Sequence, residues 1–265
     1  MHDKLTILFI GDIFGKAGRR AVQTFVPDIV KEYNATVVIA NGENAAGGTG
    51  ITPKIAEQLF AVGIHVLTSG NHIWQKKEII EYIRQERRLL RPVNFPPETP
   101  GAGSCLITTA DAVNIAVVNA TGRVFMDTYG CPFRALDHEL EQLRQQTNNI
   151  IVDFHAEATS EKYALGWYLN GRVSAVIGTH THVQTADERI LSQGTAYISD
   201  AGMTGAKDAV IGVRTELAIR KFLTYMPVRF ESSCENPSLN GVIVTLDPHT
   251  GHALHIERIQ RSEDG

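Results

Sequence analysis

The first seventy residues alternate short apolar runs with stretches of helical spacing. Leu5 to Ile10 is apolar at every position but Thr6 and reads as a buried strand. Ala21, Val22, Phe25, Val26, Ile29 and Val30 then recur at three- and four-residue intervals, and Asn34 stands where that helix should stop. Thr36 to Ala40 forms the next strand. Thr52-Pro53 opens a second helix that leads to Gly63, and a third strand runs from His65 to Thr68. The order β-α-β-α-β predicts parallel strands joined by crossover helices. Asn114 to Val118, Asn149 to Phe154 and Ser174 to Ile177 add three apolar strands, each ending in a polar tail. Past residue 190 the runs Ala196 to Ile198, Val242 to Leu246 and Ala253 to Ile259 read as antiparallel strands of a second sheet. The proline-rich stretch from Arg91 to Pro100 is expected to be an ordered surface loop. Neither internal repeats nor low-complexity tracts break the chain, so residues 1–265 are expected to form one domain.

The polar tails are more informative than the strands. In open α/β sheets the ligand crevice lies beyond the carboxyl ends of the strands, so residues just after separate strands converge. Here those residues are Gly11-Asp12, Asn41-Gly42-Glu43-Asn44, Gly70-Asn71-His72, Asp153-Phe154-His155 and Gly178-Thr179-His180-Thr181-His182. Carboxylates, amides and imidazoles suit first-row cations such as manganese, iron or zinc. Asp12, Glu43, Asn44, Asn71, His155, His180 and His182 exceed the three or four ligands that one ion takes from a protein, and two ions account for them better. Glu43 has two oxygens and so can bridge cations about 3.5–4 Å apart, the separation that clamps both oxygens of a phosphoryl transfer. His72 follows a candidate ligand and is left over as a general acid for the leaving alkoxide.

Each residue also has a plainer reading. Asp12 could cap the helix that follows, and Asn41 or Asn44 could shape turns. Trp74, Phe125 and Trp167 could stack on a base or simply fill the core. Arg87, Arg88 and Arg91 read as a solvated basic face, and His2, His65, His138, His249, His252 and His255 fall in no ligand pattern. It is the recurrence of ligand types at successive strand ends that points to metal.

Composition narrows the function classes. With 25 Lys and Arg against 29 Asp and Glu, the net charge of −4 argues against a dedicated duplex-DNA binder. Three widely spaced cysteines form neither a disulfide framework nor a C-x-x-C site, which suits a reducing cytoplasm. The opening apolar run breaks at Gly11-Asp12 without the pattern of a signal peptide, and no stretch reaches bilayer length. Walker and G-x-G-x-x-G phosphate loops are missing from the sequence, so P-loop chemistry is excluded.

The blocks GDIFGKAGR (11–19), NGENAAGGTGIT (41–52), TSGNHIW (68–74), DFHAEATSEK (153–162), GTHTHVQTADE (178–188) and DAGMTG (200–205) resemble the YmdB-like branch of the calcineurin-like metallophosphoesterases. The likeness runs from residue 5 to about 215. It implies an α/β sandwich of two mixed β-sheets flanked by helices. By the same resemblance, Asp12, Glu43, Asn44 and His182 would surround one ion, and Glu43, Asn71, His155 and His180 the other, with His72 as proton donor. It further implies iron or manganese, hydrolysis of cyclic nucleotides such as 2′,3′-cAMP by metal-activated hydroxide, and a homo-oligomer, dimer or tetramer, in bacterial cytoplasm. The wider superfamily opens with D-x-H where this chain has Asp12-Ile13-Phe14, so Asn44 takes the place of an imidazole. Three rivals stay open from sequence: a nucleotide- or metal-sensing regulator with vestigial hydrolysis, a phosphomonoesterase, and a nuclease.

Overall fold

The computed structural model describes residues 4–263, which form two mixed sheets stacked face to face with helices on both outer surfaces. The first sheet contains β1 (Leu5–Ile10), β2 (Asp12–Ile13), β3 (Val37–Asn41), β4 (Val66–Thr68), β11 (Met203–Ala206), β12 (Pro237–Leu246) and β13 (Ala253–Ser262). β1, β3 and β4 run parallel, as the crossover pattern predicts, and β12 lies antiparallel on the other side of β1. The second sheet contains β5 (Ser104–Thr108), β6 (Asn114–Thr121), β7 (Ile150–His155), β8 (Ala175–Thr179), β9 (Arg189–Ile190) and β10 (Ala196–Ile198), with β6, β7, β8 and β10 parallel.

Strand parity divides the core into layers. Ile7 and Phe9 of β1, Ile39 of β3, Val117 of β6, Ile151 of β7 and Ile177 of β8 meet between the sheets. Their neighbours Leu8, Ile10 and Val38 face α1 (Gly15–Tyr33), α2 (Pro53–Ala61) and α3 (Ile79–Gln85). On the far side, Val118, Val152 and Val176 face α4 (Pro132–Leu143) and α5 (Thr159–Leu169). Strands buried on both faces have no polar side to show, which is why they read as continuous apolar runs. Asn34, at φ 51°, ends α1 with its N–H on the Val30 carbonyl, and the Thr52 hydroxyl accepts the Ile55 N–H at 3.3 Å to cap α2.

Two expectations need correction. The strands past residue 190 do not build a sheet of their own. β10 joins β8 in parallel and β9 in antiparallel, whereas β12 and β13 return to the first sheet. The division between sheets falls instead near residue 100, because the chain leaves the first sheet after β4 and enters the second at β5. The stretch that makes this passage is ordered but is not confined to the surface. Arg91, Asn94 and Phe95 are buried, and Asn94 ties Thr121 and Gly130 through hydrogen bonds of 2.8 to 2.9 Å. Arg91 therefore does not belong to a solvated basic face, its guanidinium donating to the Pro92 carbonyl.

Candidate metal centre

The carboxyl ends of both sheets open at the same edge of the sandwich. Asp12 comes from β2, Glu43 and Asn44 from the turn after β3, and Asn71 and His72 from the turn after β4. His155 ends β7, and His180 and His182 occupy the turn after β8. All eight residues meet there, the carboxylates and amides with His72 from the first sheet and the other three imidazoles from the second.

Glu43 is fully buried at the centre. Its Oε1 lies 3.1 Å from His155 Nε2, 3.2 Å from His72 Nδ1 and 2.9 Å from Asn44 Nδ2, while Oε2 accepts the His72 N–H. His155 Nε2 also faces His180 Nδ1 at 2.9 Å and Asn71 Oδ1 at 3.2 Å. Glu43, His155 and His180 thus place one ligand atom each within 4.8 Å of one another, a spacing suited to a cation. On the other flank, His182 Nε2 lies 3.8 Å from Asp12 Oδ1 and 3.4 Å from Asn44 Nδ2. Asp12 Oδ2 accepts the His180 N–H at 3.0 Å, but Oδ1 is buried with no hydrogen-bond partner. A buried carboxylate oxygen left in this state is costly unless a cation or proton meets it.

The electrostatics follow from crowding. Burial pushes the Asp12 carboxyl up from its ordinary value, with His182 and His155 pulling it partly back. Burial acts upward on Glu43 too, yet His155 and His72 hold it well below the usual carboxylate range. His155 is driven down by burial, but Glu43, Asp12 and Asp153 carry it up to about 9. His180, buried beside that charge, is pushed down to about 3.

Sequence reasoning named the cluster but not its supports. The residues facing the layer between the sheets change from apolar to polar near the strand ends, giving Asn41, Thr68, Asp153 and Thr179. Asp153 accepts from Thr68 at 2.5 Å, Thr179 at 2.7 Å and Asn41 at 3.0 Å. Because the Thr179 hydroxyl donates to Asp153, it accepts from His155 Nδ1–H at 2.9 Å and leaves Nε2 aimed at Glu43. The Ile211 carbonyl does the same for His182, accepting its Nδ1–H at 3.1 Å, and Glu157 lies 3.2 Å from His180 Nε2. The signal for Asp153 was available: it stands two residues before His155 on one strand, so both point to the same face. Asn41 has the plain role the sequence left open, its Oδ1 accepting the Glu43 N–H at 3.1 Å. Asp12 is no helix cap, since Phe14 holds that position without a side-chain bond.

His180 and His182 have φ of 98° and 67°, left-handed torsions that cost energy for residues with a Cβ. Their turn is held from below. Asp200 accepts from the Thr181 backbone N–H at 3.0 Å and its hydroxyl at 2.6 Å, and pairs at 2.8 Å with the buried Lys162 ammonium. Beside the centre lies a cavity of about 460 Å³ lined by Phe14, Glu43, Asn44, His72, His180, His182, Ile211 and Phe230 among others, with no Lys or Arg among its described lining residues. Trp74, Phe125 and Trp167 do not line it: Trp74 packs into the α-helical layer on Phe95, and Trp167 lies under Arg189. His65 accepts the Val38 N–H far from the site, and His2 lies outside the described residues.

Two mixed sheets with carboxylate, amide and imidazole groups gathered where their carboxyl ends meet are the arrangement of a calcineurin-like metallophosphoesterase. Residues 8–259 match the profile of the family described as YmdB-like protein. Over 260 residues the chain is 47% identical to the 2′,3′-cyclic-nucleotide 2′-phosphodiesterase of Bacillus subtilis, covering 98% of each chain. A putative phosphatase/phosphodiesterase of Mycoplasma pneumoniae is 36% identical, over 100% of this chain and 95% of its own. Among solved structures, a hypothetical protein from Thermus thermophilus superposes with a TM-score of 0.92 at 39% identity, covering 98% of this chain and all of its own. This protein belongs to the YmdB-like family.

Proposed function

We propose that this protein is a metal-dependent phosphodiesterase that hydrolyses 2′,3′-cyclic nucleotides such as 2′,3′-cAMP with two cations, iron or manganese, held per chain. The observation that carries the reading is the Asp12 oxygen, buried and unpaired at the edge of a cluster of nitrogen and oxygen donors. Asp12, Glu43, Asn44 and His182 would hold one cation, and Glu43, Asn71, His155 and His180 the other. For this, the Asn44 amide needs a half-turn, because its nitrogen now faces Glu43 and its oxygen His72, and only the oxygen can ligate. The donor set has no thiolate, which suits iron and manganese. Bound there, the cations would polarise the phosphoryl oxygens and activate water.

The chain's own residues do the rest. Thr179 and the Ile211 carbonyl fix which nitrogen His155 and His182 present, and Asp200 holds the histidine turn in place. His72, part-exposed at the cavity with Nδ1 held 3.2 Å from Glu43 Oε1, protonates the departing ribose oxygen as the ring opens. The charge of the cavity favours a diester over a monoester. Its acidic lining includes Glu157 and Glu231 and offers no Lys or Arg among the described residues, which suits a monoanionic phosphate better than a dianionic one.

The test is a panel of 2′,3′-cAMP, bis-p-nitrophenyl phosphate and p-nitrophenyl phosphate with Mn²⁺-loaded protein. Turnover of the diesters above the monoester, lost in Asp12→Ala, is expected, and equal turnover of all three or none would reject the proposal. We also infer a cytoplasmic homo-oligomer, dimer or tetramer. Exposed Phe222, Leu223, Tyr225 and Met226 on and after α6 (Thr215–Thr224) support association, and three free cysteines support a reducing compartment. No described helix is long and apolar enough to cross a membrane.

A further inference from the structure

The cavity beside the metal centre has two unlike halves. One half is the polar cluster itself. The other is an apolar wall made by Phe14, Ile211, Val213 and Phe230. Phe230 and Ile211 are both 52% exposed, although each abuts a site centred on the buried Glu43 and Asn44. Large apolar side chains are seldom left open beside a polar cavity without a ligand surface to cover.

The wall is preformed. The Arg214 N–H donates to the Glu231 carbonyl at 3.0 Å and the Ser233 N–H to the Gly212 carbonyl at 2.9 Å, so the segment carrying Phe230 is laced to the one carrying Ile211. Ile211 has a φ of 45°, a strained torsion for a β-branched residue. That torsion accompanies two roles at one residue: the carbonyl accepts His182 Nδ1–H, while the side chain stays on the open wall. Gly212, at φ 93°, is pressed against the Phe14 ring, which stands edge-on to His182 at 5.5 Å. Apolar wall and metal-facing imidazole are therefore built as one unit.

We infer that Phe230 and Ile211 form the platform that binds the base of the nucleotide, making them specificity-determining residues for the phosphodiester reaction. The inference rests on the reading of this site as a cyclic-nucleotide phosphodiesterase and adds to it the part of the protein that recognises the base. A cyclic nucleotide has the same two halves as the cavity, an anionic phosphate and a flat ring with an apolar face. With the phosphate at the metal centre, the wall is the adjacent surface able to cover the ring. Stacking on Phe230 is tolerant of base identity, because every base has a π-face, so the platform selects for nucleotides over simple diesters rather than for one base.

Two substrates with the same reacting group test this in the full-length, Mn²⁺-loaded protein: 2′,3′-cAMP, and methyl riboside 2′,3′-cyclic phosphate, which lacks the base. Phe230→Ala is expected to lower the ratio of kcat/KM between them about tenfold, through KM rather than kcat, and Phe230→Tyr to restore it. Ile211→Gly, which keeps the carbonyl and relieves the torsion, is expected to lower the ratio in the same direction. An unchanged ratio in both Phe230→Ala and Ile211→Gly overturns the platform. Equilibrium binding of AMP and of inorganic phosphate to the same variants gives a readout free of turnover. The AMP-to-phosphate affinity ratio should fall about tenfold in Phe230→Ala, and a constant ratio overturns the inference. A wild-type protein that cleaves neither substrate, with the AMP-to-phosphate affinity ratio still falling in Phe230→Ala, would reject the phosphodiester reading and leave the platform standing.

Discussion

Glu43 lies within reach of both flanks of the centre, through His155 on one side and Asn44 on the other. Its substitution should therefore affect both cations, whereas loss of a flanking residue should affect one. Glu43→Gln is expected to reduce bound manganese from about two equivalents per chain to one or fewer, measured by metal analysis after gel filtration. His72→Ala separates binding from proton transfer, since no cation depends on it in the assignment above. Turnover should fall about 10²–10⁴-fold with metal content unchanged, a split that steady-state kinetics and metal analysis read together. At this scale the sequence was highly legible. Asp12, Glu43, Asn44, Asn71, His72, His155, His180 and His182 stand out because ligand types recur just after apolar runs, and all meet in space. What was hidden at this scale were atoms of the backbone and of small hydroxyl residues. Nothing about Ile211 in the chain suggests that its carbonyl would fix an imidazole, and Thr179 looks like any strand threonine.

The turn from Gly178 to His182 holds two histidines at positive φ, and its restraint comes from Asp200 and Lys162. Lys162 and Asp200 are both almost fully buried, and removing one partner of such a pair leaves an uncompensated charge. Lys162→Met is expected to destabilise the fold by about 3–5 kcal/mol in urea unfolding, and Lys162→Met with Asp200→Asn by clearly less. A second anchor of the same region is Asp187, which accepts from Thr185 at 2.6 Å and from the Ser199 N–H at 3.1 Å. Burial acts to raise its carboxyl, but hydrogen bonds from Ser199, Thr185 and Tyr163 outweigh this and lower it. A depressed carboxyl adds stability above its unfolded value of 3.8 and loses it as the pH falls through the lower folded value. Asp187→Asn should therefore melt below the wild type at pH 7, with the gap holding down to about pH 4 and narrowing only as the pH is lowered further, as thermal unfolding at a series of pH values would record. Elements were legible where both faces of a strand are buried, as in β1, β3, β7 and β8. β5 has only Cys105-Leu106-Ile107 between hydroxyl residues, and β11, with Met203, Thr204 and Gly205, lacks an apolar run; both went unread. The partners of β10, β12 and β13 were misjudged because an apolar strand carries no mark of the sheet it will join.

Across the whole molecule, the amide and carboxylate donors belong to one sheet and the three second-sheet imidazoles to the other, so cations bound as proposed would tie the layers together. Manganese should raise the melting temperature in proportion to the logarithm of its free concentration above Kd, and excess EDTA should reverse the shift. Asp12→Asn is expected to blunt the increase, because the unpaired buried oxygen that favours a cation becomes a neutral amide. Differential scanning fluorimetry measures both. Two stacked sheets with helices outside were foreseeable from the resemblance, while the point at which the chain passes between them was not. That passage depends on Asn94, whose hydrogen bonds close a loop that proline content alone suggests is peripheral.

A workshop vice grips only while both jaws are aligned, and the same holds for donors divided between two separate slabs of protein. A slip of the slabs by a fraction of a side chain would scatter the donors while each slab kept its hydrogen-bonded ladder. Gentle heating should therefore silence catalysis at temperatures where far-ultraviolet circular dichroism still reports intact sheets, making turnover a gauge of how well the halves are seated.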